Sequence, residues 1–326
     1  MKSIKKFEHR RENSPAFLNH IIYLALVLSL TSFSLGASQS NSQTLTQPYQ
    51  ISDRHLIKYL AKAQHRNKHL PVDLKLHVFD CGEILVRDIT TFNPALTANE
   101  QIVFSDTCYL IQHPQGTLIW DTGLADSLLG VPGGVDAGNG AFNLSVSKTL
   151  KSQLDEIDID PLSVDFIAFS HLHFDHTANT SYFQNATWLI QEVEYDLAFS
   201  PQAEKFFFSP QDYSLLQNND TIKLNGHYDI FGDASAVIIS TPGHTPGHQA
   251  LYLNMAETGP VILSGDLYHF QQNREEYGFP VFNTKKETVH SFALVDDLLD
   301  KLNAKLWIQH DKPFFNSLNL SPDFYR

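Results

Sequence analysis

Apolar residues recur along the chain in short runs separated by Gly, Pro, Asn and Asp, the pattern of strands joined by turns. Such runs cover residues 74–79, 108–112, 117–120, 164–169, 187–191, 236–240, 261–263 and 306–309. The second and third are joined by His113, Pro114, Gln115 and Gly116, which predicts a hairpin. Helical spacing appears over 53–69, where Leu56, Leu60 and Ala63 share one face and Lys58, Lys62 and Arg66 another. It appears again over 146–154 and 289–302. Residues 130–140 hold five glycines and predict a flexible loop. Strands dominate, helices are interspersed, and no internal repeat or second linker appears. One mixed α/β domain over residues 71–326 follows.

The N-terminus departs from this pattern. Lys2, Lys5, Lys6, Arg10 and Arg11 precede an apolar run over 21–30, and Gly36, Ala37 and Ser38 follow it. A positive lead, a short apolar stretch and a small-residue exit predict an export signal over residues 1–37. A spanning helix needs roughly 20 apolar residues, and this run is shorter. The alternative is an uncleaved N-terminal anchor. Residues 38–70 then read as a Ser-, Gln-, Asn- and Thr-rich linker followed by the short helix. The expected location is the periplasm or the medium, or the membrane surface if the anchor stays. Export leads to an oxidising compartment, where Cys81 and Cys108 can pair. Their apolar, strand-like settings predict two buried thiols instead.

The chain has 326 residues, 42% hydrophobic and 18% charged, enough for a sizeable core and unlike a disordered or fibrous protein. Its net charge of -13 repels phosphate backbones, which excludes nucleic acid as the expected partner. Two cysteines cannot build a disulfide scaffold or a four-thiolate zinc site. The sixteen histidines call for an explanation.

Four of the candidate metal ligands fall in Ser170-His171-Leu172-His173-Phe174-Asp175-His176, directly after the run 164–169. Packing needs no such cluster, and crowded imidazoles are unfavourable without a cation. In an extended stretch His171 and His173 point the same way, and a turn lets Asp175 and His176 face the same cavity. That arrangement suits two neighbouring metals. Three more candidates follow later strands: His244 after 236–240, Asp266 after 261–263 and His310 after 306–309. Imidazole and carboxylate ligands without thiolate suit zinc, and also manganese, iron or cobalt.

This ordered set resembles the metallo-β-lactamase superfamily in its dinuclear form with a bridging aspartate. The resemblance covers roughly residues 74–320. It implies an αβ/βα four-layer sandwich binding two divalent metal ions, Zn2+ first among them. His171, His173 and His244 would hold one metal, Asp175, His176 and His310 the other, and Asp266 would bridge them. Asp121, in Trp120-Asp121-Thr122-Gly123, matches a position that buttresses the metal loop. His248 is expected to support a turn or a ligand rather than bind metal. His55, His65, His69, His113 and His227 read as ordinary surface residues.

Within the superfamily the stretches 108–116, 120–123, 171–176 and 244–249 are similar to the N-acyl-homoserine lactonase branch. That likeness implies opening of the lactone ring of quorum-sensing signals. A metal-bridging hydroxide would attack, and Asp175 would move its proton to the leaving oxygen. The branch often places a tyrosine three residues after the bridging aspartate, to hydrogen-bond the lactone. Here that residue is His269, with Tyr268 one short; either could donate, and His269 is preferred. An acyl chain needs an apolar groove. Phe142, Phe206, Phe207, Phe208, Phe270, Tyr277, Phe279 and Phe282 lie in segments able to line one, and none is assigned. The expected partner is a small-molecule acyl lactone or related ester, met by a soluble mature chain, alone or as a homodimer.

The alternatives are a thioesterase or a phosphodiesterase on the same site. A glutathione thioesterase would want a basic patch near the C-terminus, and residues 311–326 hold only Lys312 and Arg326. A β-lactamase normally lacks the bridging aspartate. A non-catalytic relative would lack a ligand, and none is lacking.

Overall fold

Strands buried on both faces carry continuous apolar runs, and β11 (Ala236–Ser240) shows why. Its Val237 and Ile239 pack under helices, while Ile238 between them packs against the opposite sheet. The computed structural model describes residues 50–326 apart from Pro71. The expected export signal and the linker up to residue 49 lie outside the described residues.

A six-stranded sheet runs, in spatial order, β1 (Gln50–Ile51), β10 (His227–Asp229), β11, β12 (Gln249–Met255), β13 (Gly259–Leu263) and β14 (Lys305–Trp307). An eight-stranded sheet runs β5 (Val135–Ala137), β6 (Phe142–Ser145), β2 (Lys75–Val86), β3 (Ile102–His113), β4 (Gly116–Trp120), β7 (Phe166–Ala168), β8 (Thr187–Gln191) and β9 (Thr221–Leu224). Strands β4, β7, β8 and β9 pair in parallel, as do β13 and β14. Between the sheets Leu76, Val78, Ile111 and Trp120 meet Ile238, Leu251, Leu253 and Val261. Each such aliphatic side chain contributes about 1.5–3 kcal/mol by leaving water.

Helices α1 (Asp53–Asn67) and α7 (Lys285–Leu302) cover the outer face of the six-stranded sheet. Leu56, Leu60, Val295 and Leu298 pack there on Ile239 and Tyr252. On the other side α2 (Leu150–Glu156), α4 (Glu192–Ala198) and α5 (Pro210–Tyr213) cover Ile119, Ile167 and Trp188. The short helices α3 (Phe174–Thr177), α6 (Gln271–Glu276) and α8 (Lys312–Phe315) lie in the loops. The result is the αβ/βα four-layer sandwich.

Strands 187–191 and 236–240 match the sequence pattern at both ends, and the hairpin through residue 113 forms. Other edges differ for local reasons. Helix α2 starts at Leu150 because the Thr149 side chain accepts the Ser152 N–H and caps it; Val146 instead bridges to Leu129. The glycine-rich loop contains the short edge strand β5. The body also begins before residue 71, since β1 and α1 share its sheet and core.

The two cysteines are not free thiols: Cys81 and Cys108 form a buried disulfide with Cα atoms 5.9 Å apart. Phe79 faces Cys108 across β2 and β3, and a bulge between Asp80 and Gly82 brings Cys81 alongside. Neither register nor bulge is legible in the pattern of apolar residues.

Candidate metal centre

Four strand ends deliver the site. Residues 170–176 follow β7, 241–248 follow β11, 264–266 follow β13 and 308–310 follow β14. Helix α3 begins just after His173 and folds Asp175 and His176 back toward His171. Gly265 is required beside them: its φ is +52°, and a Cβ there would lie 2.5 Å from the Ser170 Cβ.

His171, His173, His244 and Asp266 form one group of converging ligand atoms, and Asp175, His176 and His310 a second. Asp266 gives one oxygen to each. Its Oδ2 lies 3.3 Å from His244 Nε2 and 3.8 Å from His171 Nε2. Its Oδ1 lies 3.3 Å from His176 Nε2 and 3.0 Å from His310 Nε2. Asp175 is 3.8 Å from both His176 and His310.

The outward nitrogens are fixed by the protein. His176 Nδ1–H donates to Asp121 Oδ2 at 3.1 Å, and His310 Nδ1–H to the Ser105 carbonyl at 2.7 Å. His244 Nδ1–H donates to Asn283 Oδ1 at 3.2 Å, and His173 Nε2–H to the Phe206 carbonyl at 3.0 Å. Those bonds set the tautomers. His244 Nε2 and His173 Nδ1 then face each other at 3.1 Å with a lone pair on each. Two lone pairs at that distance repel unless a cation lies between them. His171 Nε2 and His176 Nε2 are likewise buried without a hydrogen-bond partner. Leaving such groups unsatisfied costs about 1–3 kcal/mol each. The donor set therefore fits two divalent cations.

The two groups differ in charge. Burial holds the His171 and His244 imidazoles far below the usual histidine range and His173 at about 4. Burial opposes ionisation of His176 and His310 as well, but nearby carboxylates, Asp266 foremost, outweigh it. They lift His176 well above its usual range and His310 to about 9.

All seven residues expected to face metal are thus brought together. Asp121 lies beneath them, accepting from the Ser170 N–H at 2.7 Å and Gln309 Nε2 at 2.8 Å. His248 donates from Nδ1 to the Thr241 carbonyl at 3.0 Å, and its Nε2 accepts the Asp266 N–H at 3.0 Å. His269 lines the cavity, with Nε2 3.1 Å from Asp266 Oδ2 and its ring 4.4 Å from that of Phe92.

Tyr268 does not belong to the site. Its backbone is extended, so its side chain points away from that of His269, into the core, where it stacks 4.6 Å from Phe292. His113 and His227 are buried rather than surface residues, 3.0 Å from Asp233 and Asp53 respectively.

A cavity of about 700 Å³ opens above the centre. Of the candidate aromatics, Phe142, Phe207, Phe208 and Phe282 line it, whereas Phe206, Phe270, Tyr277 and Phe279 do not. Phe92, Phe104 and Phe174 complete the wall. They escape a sequence reading because they fall outside the aromatic-rich insertions. Asn283 and Glu194 escape it too, as lone polar residues with no spacing signal.

Residues 102–285 match the family model of the metallo-beta-lactamase superfamily. Among curated proteins, the N-acyl homoserine lactonase AttM of Azorhizobium caulinodans is 30% identical over 228 residues, covering 67% of this chain and 86% of that protein. A solved N-acyl homoserine lactone hydrolase, with N-hexanoyl-L-homoserine bound at its catalytic metal center, has a TM-score of 0.66 and 24% identity over 77% of this chain and 98% of that one. AidC, a dizinc quorum-quenching lactonase, has a TM-score of 0.55 and 17% identity over 78% and 93%. At those identities the two structures speak to the fold, and both share the one described above.

Proposed function

We propose a function from one premise: this chain belongs to the metallo-beta-lactamase superfamily. It is a metal-dependent hydrolase that opens the lactone ring of N-acyl homoserine lactones. One observation carries the reading. Asp266 presents an oxygen to each of two histidine groups at the floor of an aromatic cavity, in a chain 30% identical to an N-acyl homoserine lactonase.

His171, His173 and His244 would hold one cation, Asp175, His176 and His310 the other, with Asp266 touching both. Imidazole and carboxylate donors suit Zn2+. When bound, such a pair lowers the pKa of water toward neutrality and polarises the ester carbonyl. The chain's own residues do the rest. Asp175 lines the cavity and accepts the proton of the attacking water, then returns it to the ring oxygen as the C–O bond breaks. His269 Nδ1 has no hydrogen-bond partner, and with the ring lining the cavity an N–H there can donate to a lactone oxygen. The phenylalanine walls exclude water and take the acyl chain, each buried CH2 contributing about 0.8 kcal/mol. Water adds across the ring ester, yielding a carboxylate, a hydroxyl and a released proton.

Export is part of this reading. It is supported by the residue 1–37 pattern and by a disulfide that needs an oxidising compartment. A mature N-terminus near residue 38 in the exported fraction is the expected result, and a cytosolic chain beginning at Met1 the contrary one.

Proton release from butanoyl- and decanoyl-homoserine lactone tests the activity, with Asp266→Asn as control. Rapid opening that the variant loses is expected. No opening by a protein with two bound metals would redirect the centre to thioesters or phosphodiesters.

A further inference from the structure

One buried carboxylate lies outside the metal-facing set yet joins the two loops that carry its first half. Glu194, in the first turn of α4, is 1% exposed. Its Oε1 accepts the Thr245 hydroxyl at 2.7 Å and the Leu172 N–H at 3.3 Å. Its Oε2 accepts the Gly247 N–H at 2.8 Å. Leu172 lies between His171 and His173, and Thr245 and Gly247 are one and three residues after His244. A Cβ on Gly247 would lie 2.5 Å from the Glu194 Cβ, so glycine is what permits the approach. None of these bonds reaches the second group. There Asp121 and the Ser105 carbonyl hold His176 and His310.

We propose that Glu194 is a positioning residue that sets the distance between the His171–His173 loop and the His244 loop, and thereby the affinity of the first cation position alone. The proposal rests on the two-cation reading above. Burying a carboxylate is costly, and three donated hydrogen bonds offset that cost. An apolar contact in its place could cover the same space but could not fix two backbone N–H groups from different loops.

The test uses Glu194→Gln, which keeps the shape. A carboxamide turns an N–H₂ against either Gly247 N–H or Leu172 N–H, so one staple fails without a cavity. Thr245→Val is the companion variant, breaking one bond from the other side. Metal-stripped wild type and variants are titrated with Zn2+ against a chromogenic chelator. Nitrogen NMR follows His173 Nδ1 and His176 Nε2, the atoms facing the two positions. Wild type is expected to bind two cations. In E194Q one position weakens by about 10–100-fold, the range for losing a supporting partner of a metal ligand. The metal-induced shift is lost at His173 and kept at His176, with T245V intermediate. Unchanged affinities in E194Q beside two wild-type sites would overturn this proposal alone. So would equal weakening at both positions, which marks a general loss of fold. Fewer than two cations in wild type would overturn the two-cation reading together with it.

Discussion

The two halves of the metal centre face each other across Asp266 but are held by different means. The second group hangs on the sheets: Asp121 follows β4, Ser105 lies in β3, and Gln309, which donates to Asp121 and to the Thr107 carbonyl, follows β14. It also carries its own carboxylate, Asp175. The first group is three imidazoles on two loops, tied by Glu194, Asn283 and the Phe206 carbonyl, all outside the strands. The electrostatics follow. Carboxylates lift His176 and His310, while burial outweighs the nearby carboxylates at His173 and His244 and, with the neighbouring imidazoles, depresses His171. Asp266 lends negative charge to both halves; Asp175 adds to the second, and loop geometry positions the first. The loop-held half is therefore the one that local sequence change can retune.

Asp266→Asn tests whether the halves act as one. It removes charge from both, and the several kcal/mol that a metal pair supplies corresponds to about 10³-fold in rate. A loss within tenfold in the lactone assay would mean the halves work separately.

A difference in pH dependence sharpens the contrast next. Burial raises the Glu194 carboxyl from 4.5 to about 7. The folded form then holds this proton more tightly than the unfolded form. Its contribution to stability is complete below pH 4.5 and lost as pH rises through 7. Metal-free wild type should lose roughly 3 kcal/mol against E194Q over that window in urea unfolding. Parallel curves would contradict it.

Asp121→Asn is the mirror of E194Q. It should weaken the second cation position by about 10–100-fold and spare the first, read by chelator competition. Weakening of the first position would erase the division. The smallest effect concerns the cavity. Phe282, 38% exposed and 5.5 Å from the His244 ring, borders the first half. Phe282→Ala should cost about tenfold in kcat/KM on the decanoyl substrate, from about 1–2 kcal/mol of lost apolar contact. The butanoyl substrate should be little affected.

Legibility in the sequence followed chemistry more than geometry. The seven candidate ligands could be read because each follows an apolar run, and no packing need explains them. Continuous apolar strands such as 236–240 were legible because both their faces are buried. Whatever depended on the third dimension was not. Tyr268 and His269 differ only in which way an extended backbone turns them. The cysteine pairing needed the β2–β3 register and its bulge. Glu194 binds partners 51 and 53 positions away through Thr245 and Gly247, and a lone acid after a strand carries no local sign of that.

The most direct measurement is mass spectrometry of the products from N-decanoyl homoserine lactone, made with metal-stripped protein titrated with Zn2+. The expected result is a single product heavier by one water, absent from stripped protein and restored in full only by the second equivalent. Full ring opening by the stripped protein, or cleavage into a fatty acid and homoserine lactone, would contradict the account.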